Sequence, residues 1–501
     1  MSLMGKVVKI AEIFGKIKAA IGGYMLNEAE NRVVVDVTAD SRKVTTGSLF
    51  VAVKGVTKDG HMFIEDAIKA GANAIIISNP EVEVKEKLPI LVVDDSREAL
   101  VLALKEFYGP QPDEVIGVTG TNGKTTVTHM LHRIMNDAGV KTGVIGTLGF
   151  MFEEGKLEKL PITTPDAETI WKLFSSMRER GIQAVAMEVS SHGLHQKRVW
   201  GIDFSKAIFT NLSQDHLDYH GDMKAYLAAK CVLFSQLRGD SVAIVNVDDP
   251  ACDEVIKANR GKLLTYGIES ARCDVKATVK RLSIDGSKFE VNSPWGRFDL
   301  QINVPGKFNV YNALASFASA LVDELPPEKV ISSLAAFKGV RGRFEKVELG
   351  QPFTVVVDYA HTPEALRNLI TAARKLTRGR VIVVFGAGGD RDKLKRPIMG
   401  EVATKYADYV VITSDNPRTE DPEKIIDMII EGVCRDNWIR IVDRRKAIFH
   451  AIENAKAGDI VLIAGKGHED YQIIGDKIIH FDDVEVARDA IKAFWGVNDE
   501  S

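Results

Sequence analysis

The sequence predicts an α/β protein of three domains, with a phosphate-gripping loop in the central parallel sheet and a second sheet of dinucleotide-fold type after it. Three observations predict this. The chain has 501 residues, and a soft prior of about 150 residues per domain gives three cores. Apolar strand-like runs alternate with helical patterns for most of its length, the signature of βαβ units. The stretch "GVTGTNGKTTVTHM" (117–130) sets two glycines, a lysine and two threonines between an apolar run and a helical pattern.

A first domain is expected over 4–110, after "MSLMG", which reads as a leader ahead of Met4. It alternates "SLFVAV", "FIEDAIKAGA", "NAIIIS" and "LPILVV" and ends at the Gly/Pro/Asp cluster "YGPQPDE". A second is expected over 111–340. Val115, Ile116 and Val118 form a buried strand, and Val127, Met130, Leu131, Ile134, Met135 and Ala138 follow a helical period closed by Gly139. "KTGVIGT", the helix near Ile170–Met177, "IQAVAMEVSS", "KAIFTNLS", the helix near Ala225–Leu237 and "SVAIVNVDD" continue the alternation. Residues 274–304 switch to period-2 strands with "DGS" and "SPWG" turns, which predicts an antiparallel flank before a helix starting near Asn309. A third domain, 341–497, carries "TVVVDYA", "RVIVVFGAGGD", "YVVITSDNP" and "DIVLIAGKG". In open sheets ligands sit beyond the C-terminal strand ends, so these loops should converge on a cleft.

Bulk composition excludes several classes. Charged residues make up 27% and hydrophobic ones 45%, an ordinary globular balance. The net charge of −4 offers no basic footprint for nucleic acid or anionic lipid. No apolar run is long enough to span a bilayer and no signal pattern opens the chain, so a cytoplasmic protein is expected. The four cysteines (Cys231, Cys252, Cys273, Cys434) lack metal or redox spacing and read as packing residues in a reducing compartment. No Ser/His/Asp order, GxSxG elbow or HExxH helix is present.

Gly120, Thr121, Asn122, Gly123, Lys124, Thr125 and Thr126 form a phosphate cradle: backbone N–H groups without Cβ crowding, a helix N-terminus, a point charge and a hydroxyl for Mg²⁺. The strict P-loop spacing needs glycine where Val118 stands, so this is a shortened form. Glu188, at a buried strand end, is an oxygen ligand of the kind Mg²⁺ prefers, with helix capping as the other reading. "TNLSQDHLDYHG" packs Asp215, His216, Asp218 and His220 into one loop; taken alone, Asp218 and His220 read as a solvated turn. "SDNPRTEDP" delivers Asp415, Asn416, Pro417 and Arg418, and "AGKGHED" delivers Gly465 and Glu469. An arginine fork near carboxylates suits an amino-acid or dicarboxylate ligand, while Arg418 and Glu420 could equally cap a helix near Pro422.

The segments "GTNGKTT", "EVSSHGLHQKRV", "NLSQDHLDYHG", "YLAAKCVLF", "GKFNVYNALA", "GRFEKV", "DYAHTP", "GDRDKLKRP", "DNPRTEDP" and "GKGHE", in this order, closely resemble the Mur ligase family over essentially the whole chain. The resemblance implies the three-domain Mur ligase architecture: a UDP-substrate domain, a central P-loop domain and a C-terminal Rossmann-like domain that brings the amino acid. It implies an ATP- and Mg²⁺-dependent ligase that adds meso-diaminopimelate, or alternatively L-lysine, to UDP-N-acetylmuramoyl-L-alanyl-D-glutamate through an acyl phosphate. By the same resemblance Ser41 contacts the uridine diphosphate, while Thr163, Thr164, Ser190, Gln196 and Arg198 hold the muramoyl dipeptide. Thr125, Glu188, His216 and a carbamylated Lys230 are the implied metal ligands, with Lys124, Lys230 and His216 as catalytic groups. Asn309, Arg343 and Asp358 grip the nucleotide; Arg391, Asp415, Asn416, Pro417, Arg418, Gly465 and Glu469 form the amino-acid pocket, with Arg418 set for the distal carboxylate of diaminopimelate. No nucleic-acid or membrane partner is implied, and a monomer is expected. A relative such as folylpolyglutamate synthetase would share the P-loop but not "DSRKV", "DHLDYHG" or "DNPR". A nucleotide switch, the reading from another class, would turn over ATP without any acceptor.

Overall fold

The computed structural model describes residues 6–27, 32–55, 58–82, 84 and 87–496. The expected leader at 1–5 and the outer limits of the first and third expected domains (residues 4 and 497) lie outside the described residues. The chain builds three principal sheets; one core is continuous between the first and the central sheet, and the third sheet has cores of its own on its two faces. The first is five-stranded and spans Tyr24–Met25 to Ile90–Val92; its strands Ser48–Val51 and Ala74–Ile77 are buried throughout, as an apolar run flanked by helices on both faces must be.

The central sheet has eleven strands. Its parallel part runs, in spatial order, Thr142–Gly146, Ala184–Glu188, Glu114–Thr119, Lys206–Phe209, Val242–Asn246 and Lys262–Gly267. The strands Val275–Ser283, Gly286–Ser293 and Gly296–Ile302 are antiparallel to one another, as their period-2 pattern predicts. They extend the same sheet through a parallel pairing of Val275 with Tyr266. A short hairpin, Gly149–Met151 with Leu157–Glu158, closes the other edge. The third sheet has six strands, with parallel pairing centred on Val381–Phe385 and Ile460–Ala464. Helices cover both of its faces, the doubly wound arrangement expected of a Rossmann-like sheet.

Among the described residues no helix is long and apolar enough to cross a membrane. The four cysteines are free thiols. Cys434 is exposed, so the expectation that all four pack in the interior fails there: its helix-flanking loop leaves the sulfur at the surface.

One buried charge fixes the strand that feeds the functional loops. Lys206, 2% exposed, lies 2.5 Å from Glu114 and also pairs with Asp323 at the end of helix Lys307–Val322. It thus ties the first residues of two adjacent strands to a covering helix. Removing one member of a buried ion pair leaves charge without a partner, so Lys206→Met should destabilise the chain by about 3 kcal/mol, read by urea denaturation.

Candidate active site

The strand Glu114–Thr119 ends in the loop Gly120–Gly123, and the helix Lys124–Asp137 begins at once. Many helices here start with a capping aspartate; this one starts at Gly123, in left-handed conformation and with no side-chain cap, so its first N–H groups face outward. A Cβ on Gly123 would lie 2.5 Å from Oδ1 of Asn312, and one on Gly120 would lie 1.9 Å from Oγ1 of Thr210. The loop is backed by residues 210–213. Thr121 N–H donates to the Asn211 carbonyl (2.9 Å), Asn122 N–H to Asn211 Oδ1 (2.9 Å), and Thr210 Oγ1 to the Asn122 carbonyl (2.6 Å). Thr125 and Thr126 are buried at the helix start.

Lys124 and Lys230 converge here. Their Nζ atoms donate to the same Gly120 carbonyl, at 2.8 and 3.0 Å. Burial, and then the neighbouring ammonium of Lys124, pushes the Lys230 pKa well below its ordinary value. Burial lowers that of Lys124, opposed by Glu188 and Asp215. The Lys124 ammonium beside the free N–H groups of its helix start makes a place for anions.

Glu188 is 1% exposed at the end of its strand and accepts hydrogen bonds from Thr147, N–H at 2.8 Å and Oγ1 at 3.0 Å. The next helix is capped by Ser190, whose Oγ accepts the Gly193 N–H (3.1 Å), so Glu188 is not a cap. His216 adopts φ +54° and lies 3.4 Å from Asp215; burial lowers its pKa. The described residues contain no preformed group of three His, Cys, Asp or Glu fit to hold a metal. Carboxylate and hydroxyl oxygens on Glu188 and Thr125 nevertheless suit a hard cation such as Mg²⁺.

A cavity of about 1290 Å³ lies between the loops around Thr164 and His216 and the strand ends of the third sheet. Thr163, Thr164, Ser190, Arg198 and His216 line its central-domain side. Thr164 Oγ1 donates to the Glu188 carbonyl (2.9 Å) and accepts Ser190 N–H (2.9 Å). Gln196 does not line the cavity; its Oε1 accepts from Arg198 at 2.6 and 3.1 Å and so aims that guanidinium, which also reaches the Thr164 carbonyl (2.8 Å). Asp218 lines the cavity, and His220 reaches Ser191 Oγ (3.0 Å), so neither belongs to a merely solvated turn. Ser41 sits in a short 3₁₀ turn of the first domain, outside the lining.

Arg391, Asp415, Asn416, Arg418, Gly465 and Glu469 line the opposite wall. Asn416 Nδ2 donates to Glu469 Oε2 (2.7 Å), and Lys466, fully buried, donates to Asn416 Oδ1 (3.1 Å) and lies 3.3 Å from Glu469. Burial raises the Glu469 pKa, with Lys466 opposing. Gly465 has φ +118°, and a Cβ there would lie 2.5 Å from Asp415. Pro417 contributes its carbonyl, which fills the space of a Cβ on Gly389. Arg418, at φ +52°, is clamped between the Ile473 carbonyl and the Gly475 N–H, and its Nη1 donates to the Gly389 carbonyl (2.7 Å). Capping is not its role. Asp421 caps the helix Pro422–Ile430, and Glu420 pairs with the buried Arg396.

The three residues expected to grip a nucleotide divide. Arg343 Nη2 reaches Thr125 Oγ1 (3.4 Å) from the third domain, its guanidinium lies 4.7 Å over the Tyr359 ring, and its buried Nε has no hydrogen-bond partner. Asp358 accepts the N–H groups of Phe344 (2.7 Å) and Ala360 (2.8 Å), bracing the turn that presents Arg343. Asn309 is buried, donating to the Pro305 carbonyl and accepting from Asn312, so it buttresses the residue packed on Gly123.

Comparison with known proteins decides what this arrangement belongs to. The Mur ligase middle domain matches residues 118–320, the Mur ligase glutamate ligase domain 342–467, and the Mur ligase family catalytic domain 34–108. A UDP-N-acetylmuramoyl-L-alanyl-D-glutamate–2,6-diaminopimelate ligase of Halalkalibacterium halodurans is 45% identical over 94% of this chain and 97% of its own length. The chain belongs to the Mur ligase family. The enzyme of the same name from Bacillus cereus is also 45% identical, over 92% and 95%. A solved structure of a ligase of that name superposes with a TM-score of 0.71 at 35% identity, covering 97% of this chain and 99% of that one. The α/β fold is thus the three-domain Mur ligase architecture, and the activity class is amide-bond formation driven by ATP.

Residues to which the sequence assigned no role also line this Mur ligase cavity. His361 Nδ1 donates to the Tyr359 carbonyl (2.8 Å), and Lys395 Nζ donates to the His361 carbonyl (3.0 Å). Both follow strand ends within "DYAHTP" and "GDRDKLKRP", where polar residues beyond an apolar run are the available signal. Under the "DNPR" loop, Arg396 depresses Glu420 from its ordinary 4.5 to about 2. A lowered acid pKa stabilises the fold above the ordinary value and ceases to do so as pH falls to the folded one. The stability gap between wild type and Glu420→Gln should therefore be full above pH 4.5 and close as pH drops towards about 2, read by urea midpoints across that range.

Proposed function

We propose that the chain adds meso-2,6-diaminopimelate to UDP-N-acetylmuramoyl-L-alanyl-D-glutamate, with ATP converted to ADP and phosphate, in peptidoglycan precursor synthesis. The observation that carries the reading is a cavity with Thr163, Thr164, Ser190, Arg198 and His216 on one side and Arg418, Asn416 and Glu469 on the other. The names of relatives 45% identical over nearly their whole length support it. On this reading 4–110, 111–340 and 341–497 are the UDP-substrate, ATP and amino-acid domains, and the enzyme acts as a cytoplasmic monomer without nucleic-acid or membrane partners.

A carboxylate and an amine do not condense in water, so the D-glutamyl carboxylate first takes the γ-phosphoryl group. Its oxygen bonds to phosphorus as the bond to ADP breaks. Lys124 and the outward N–H groups of the P-loop helix offset the charge on the transferring group, and Arg343 approaches the same point from the third domain. Mg²⁺, held by Thr125, Glu188, His216 and a carbamylated Lys230, would supply Lewis-acid charge stabilisation at the phosphates. The diaminopimelate amine then attacks the acyl carbon, phosphate leaves, and the amine gives up a proton. Thr163, Thr164, Ser190 and Arg198, aimed by Gln196, orient the dipeptide; Ser41 serves its uridine diphosphate end.

Burial favours an uncharged Lys230, and only a neutral amine captures carbon dioxide. Intact-mass analysis in bicarbonate should show one carbamate on wild type and none on Lys230→Ala; an unmodified wild type with full activity would refute this ligand.

Arg418 can bind the distal carboxylate of diaminopimelate with a fork, whereas L-lysine offers only an ammonium there. ADP release with ATP, Mg²⁺ and the UDP-linked dipeptide should depend on diaminopimelate and be far weaker with L-lysine. Arg418→Ala should raise KM for diaminopimelate by roughly 10- to 100-fold, the equivalent of one charged bidentate contact, and leave KM for ATP nearly unchanged. Preference for lysine would overturn the amino-acid assignment, and turnover without any acceptor would overturn the ligase reading.

A further inference from the structure

Behind the amino-acid wall lies an arginine that reaches neither the cavity nor solvent. Arg444 opens the helix Arg444–Glu453, and its side chain and that of Asp483 are both fully buried. Its Nε and Nη2 donate to the two Asp483 carboxylate oxygens at 2.8 and 2.6 Å. Nη2 also donates to the Ala464 carbonyl (3.0 Å), and Nη1 faces the Ser414 carbonyl at 3.5 Å.

Each of these two carbonyls stands immediately before a loop of the wall. Ala464 ends the strand Ile460–Ala464 and precedes Gly465; Ser414 lies just past the strand Tyr409–Ile412 and precedes Asp415. These strands are not neighbours in the sheet, since Val381–Phe385 runs between them. One guanidinium therefore spans the ends of two non-adjacent strands from which the "DNPR" and "GKGHE" loops depart. Asp482, the neighbour of Asp483, caps the helix Asp483–Trp495 and pairs with Arg341 of the interdomain turn, so the far side of the clamp is fixed too.

A buried ion pair gives a fold little net stability compared with apolar residues of the same volume. Its value here is geometric. We propose that Arg444 is a positioning residue for the amino-acid substrate, holding the two loops at the separation at which Asp415, Arg418 and Glu469 act on one ligand. Asp415 and Glu469 lie near enough to favour the charged guanidinium. The inference rests on the assignment of this wall to diaminopimelate.

The test is steady-state kinetics on full-length Arg444→Lys with each of the three substrates varied in turn. Lysine keeps the charge and loses the fork. KM for diaminopimelate should rise by about tenfold or more, while KM for ATP and for the UDP-linked dipeptide stays within about twofold. Asp483→Asn, which keeps the guanidinium and weakens the clamp, should show the same selective shift at about threefold. Parallel rises for all three substrates, an unchanged KM for the amino acid, or failure of both variants to fold would show a residue of general stability and overturn the proposal. If wild type turns over lysine in place of diaminopimelate, the assignment of the wall fails, and the same comparison made with lysine still decides the role of Arg444.

Discussion

Everything at this site depends on Arg343 meeting Thr125 across the boundary between two sheets. The P-loop stands at the strand ends of one sheet and the wall that carries Arg418 and Glu469 at those of another. The turn that carries Arg343 is over-determined. Gly342 has φ +69° and packs so tightly that a Cβ would lie 2.1 Å from the His468 N–H nitrogen, while Asp358 holds the Phe344 N–H at φ +50°. Arg343 then stacks on Tyr359. A side chain on a mobile linker could not bring a third-domain charge to the hydroxyl at the start of the P-loop helix with comparable definition.

The two walls use opposite electrostatic plans. At the P-loop, the Lys124 ammonium and the partial positive charge of the helix N-terminus stand together, so the surroundings favour an anion. On the facing wall the charges are interleaved: Asp415 and Glu469 against Arg418, Arg391 and the buried Lys466. A ligand with both ammonium and carboxylate groups fits such a wall, because each of its charges finds an opposite one and leaves none of the wall's own stranded.

Much of this was legible in the sequence, for identifiable reasons. The P-loop strand and helix stood out because the period changed at two glycines, and Glu188 because it ended an apolar run. The antiparallel segment 274–304 was legible from its alternation, but not its fusion to the parallel sheet, which the backbone pairing at Val275 decides. Capping residues around "DNPRTEDP" left Arg418 undecided; the structure gives the cap to Asp421 and the paired acid to Glu420. The clamping of Arg418 by the hairpin Tyr471–His480, and the role of Arg444 beneath it, left no local signal, because these partners lie tens of residues apart. A buried Lys466 or Arg444 looks in sequence like any solvated cation.

The order of strands in the third sheet bears on how the chain is made. Ile460–Ala464 is the last of its parallel strands to be synthesised, yet it sits between Thr354–Asp358 and Val381–Phe385. The central sheet, by contrast, is complete in sequence by Ile302. A ribosome therefore completes the central sheet first, and then two separate pieces of the third, Glu345–Val347 with Thr354–Asp358 and Val381–Phe385 with its two later neighbours, each with an edge that only Ile460–Ala464 covers. A chain that stops between residues 440 and 460 has the other five strands of this sheet and still lacks the one that joins its two pieces.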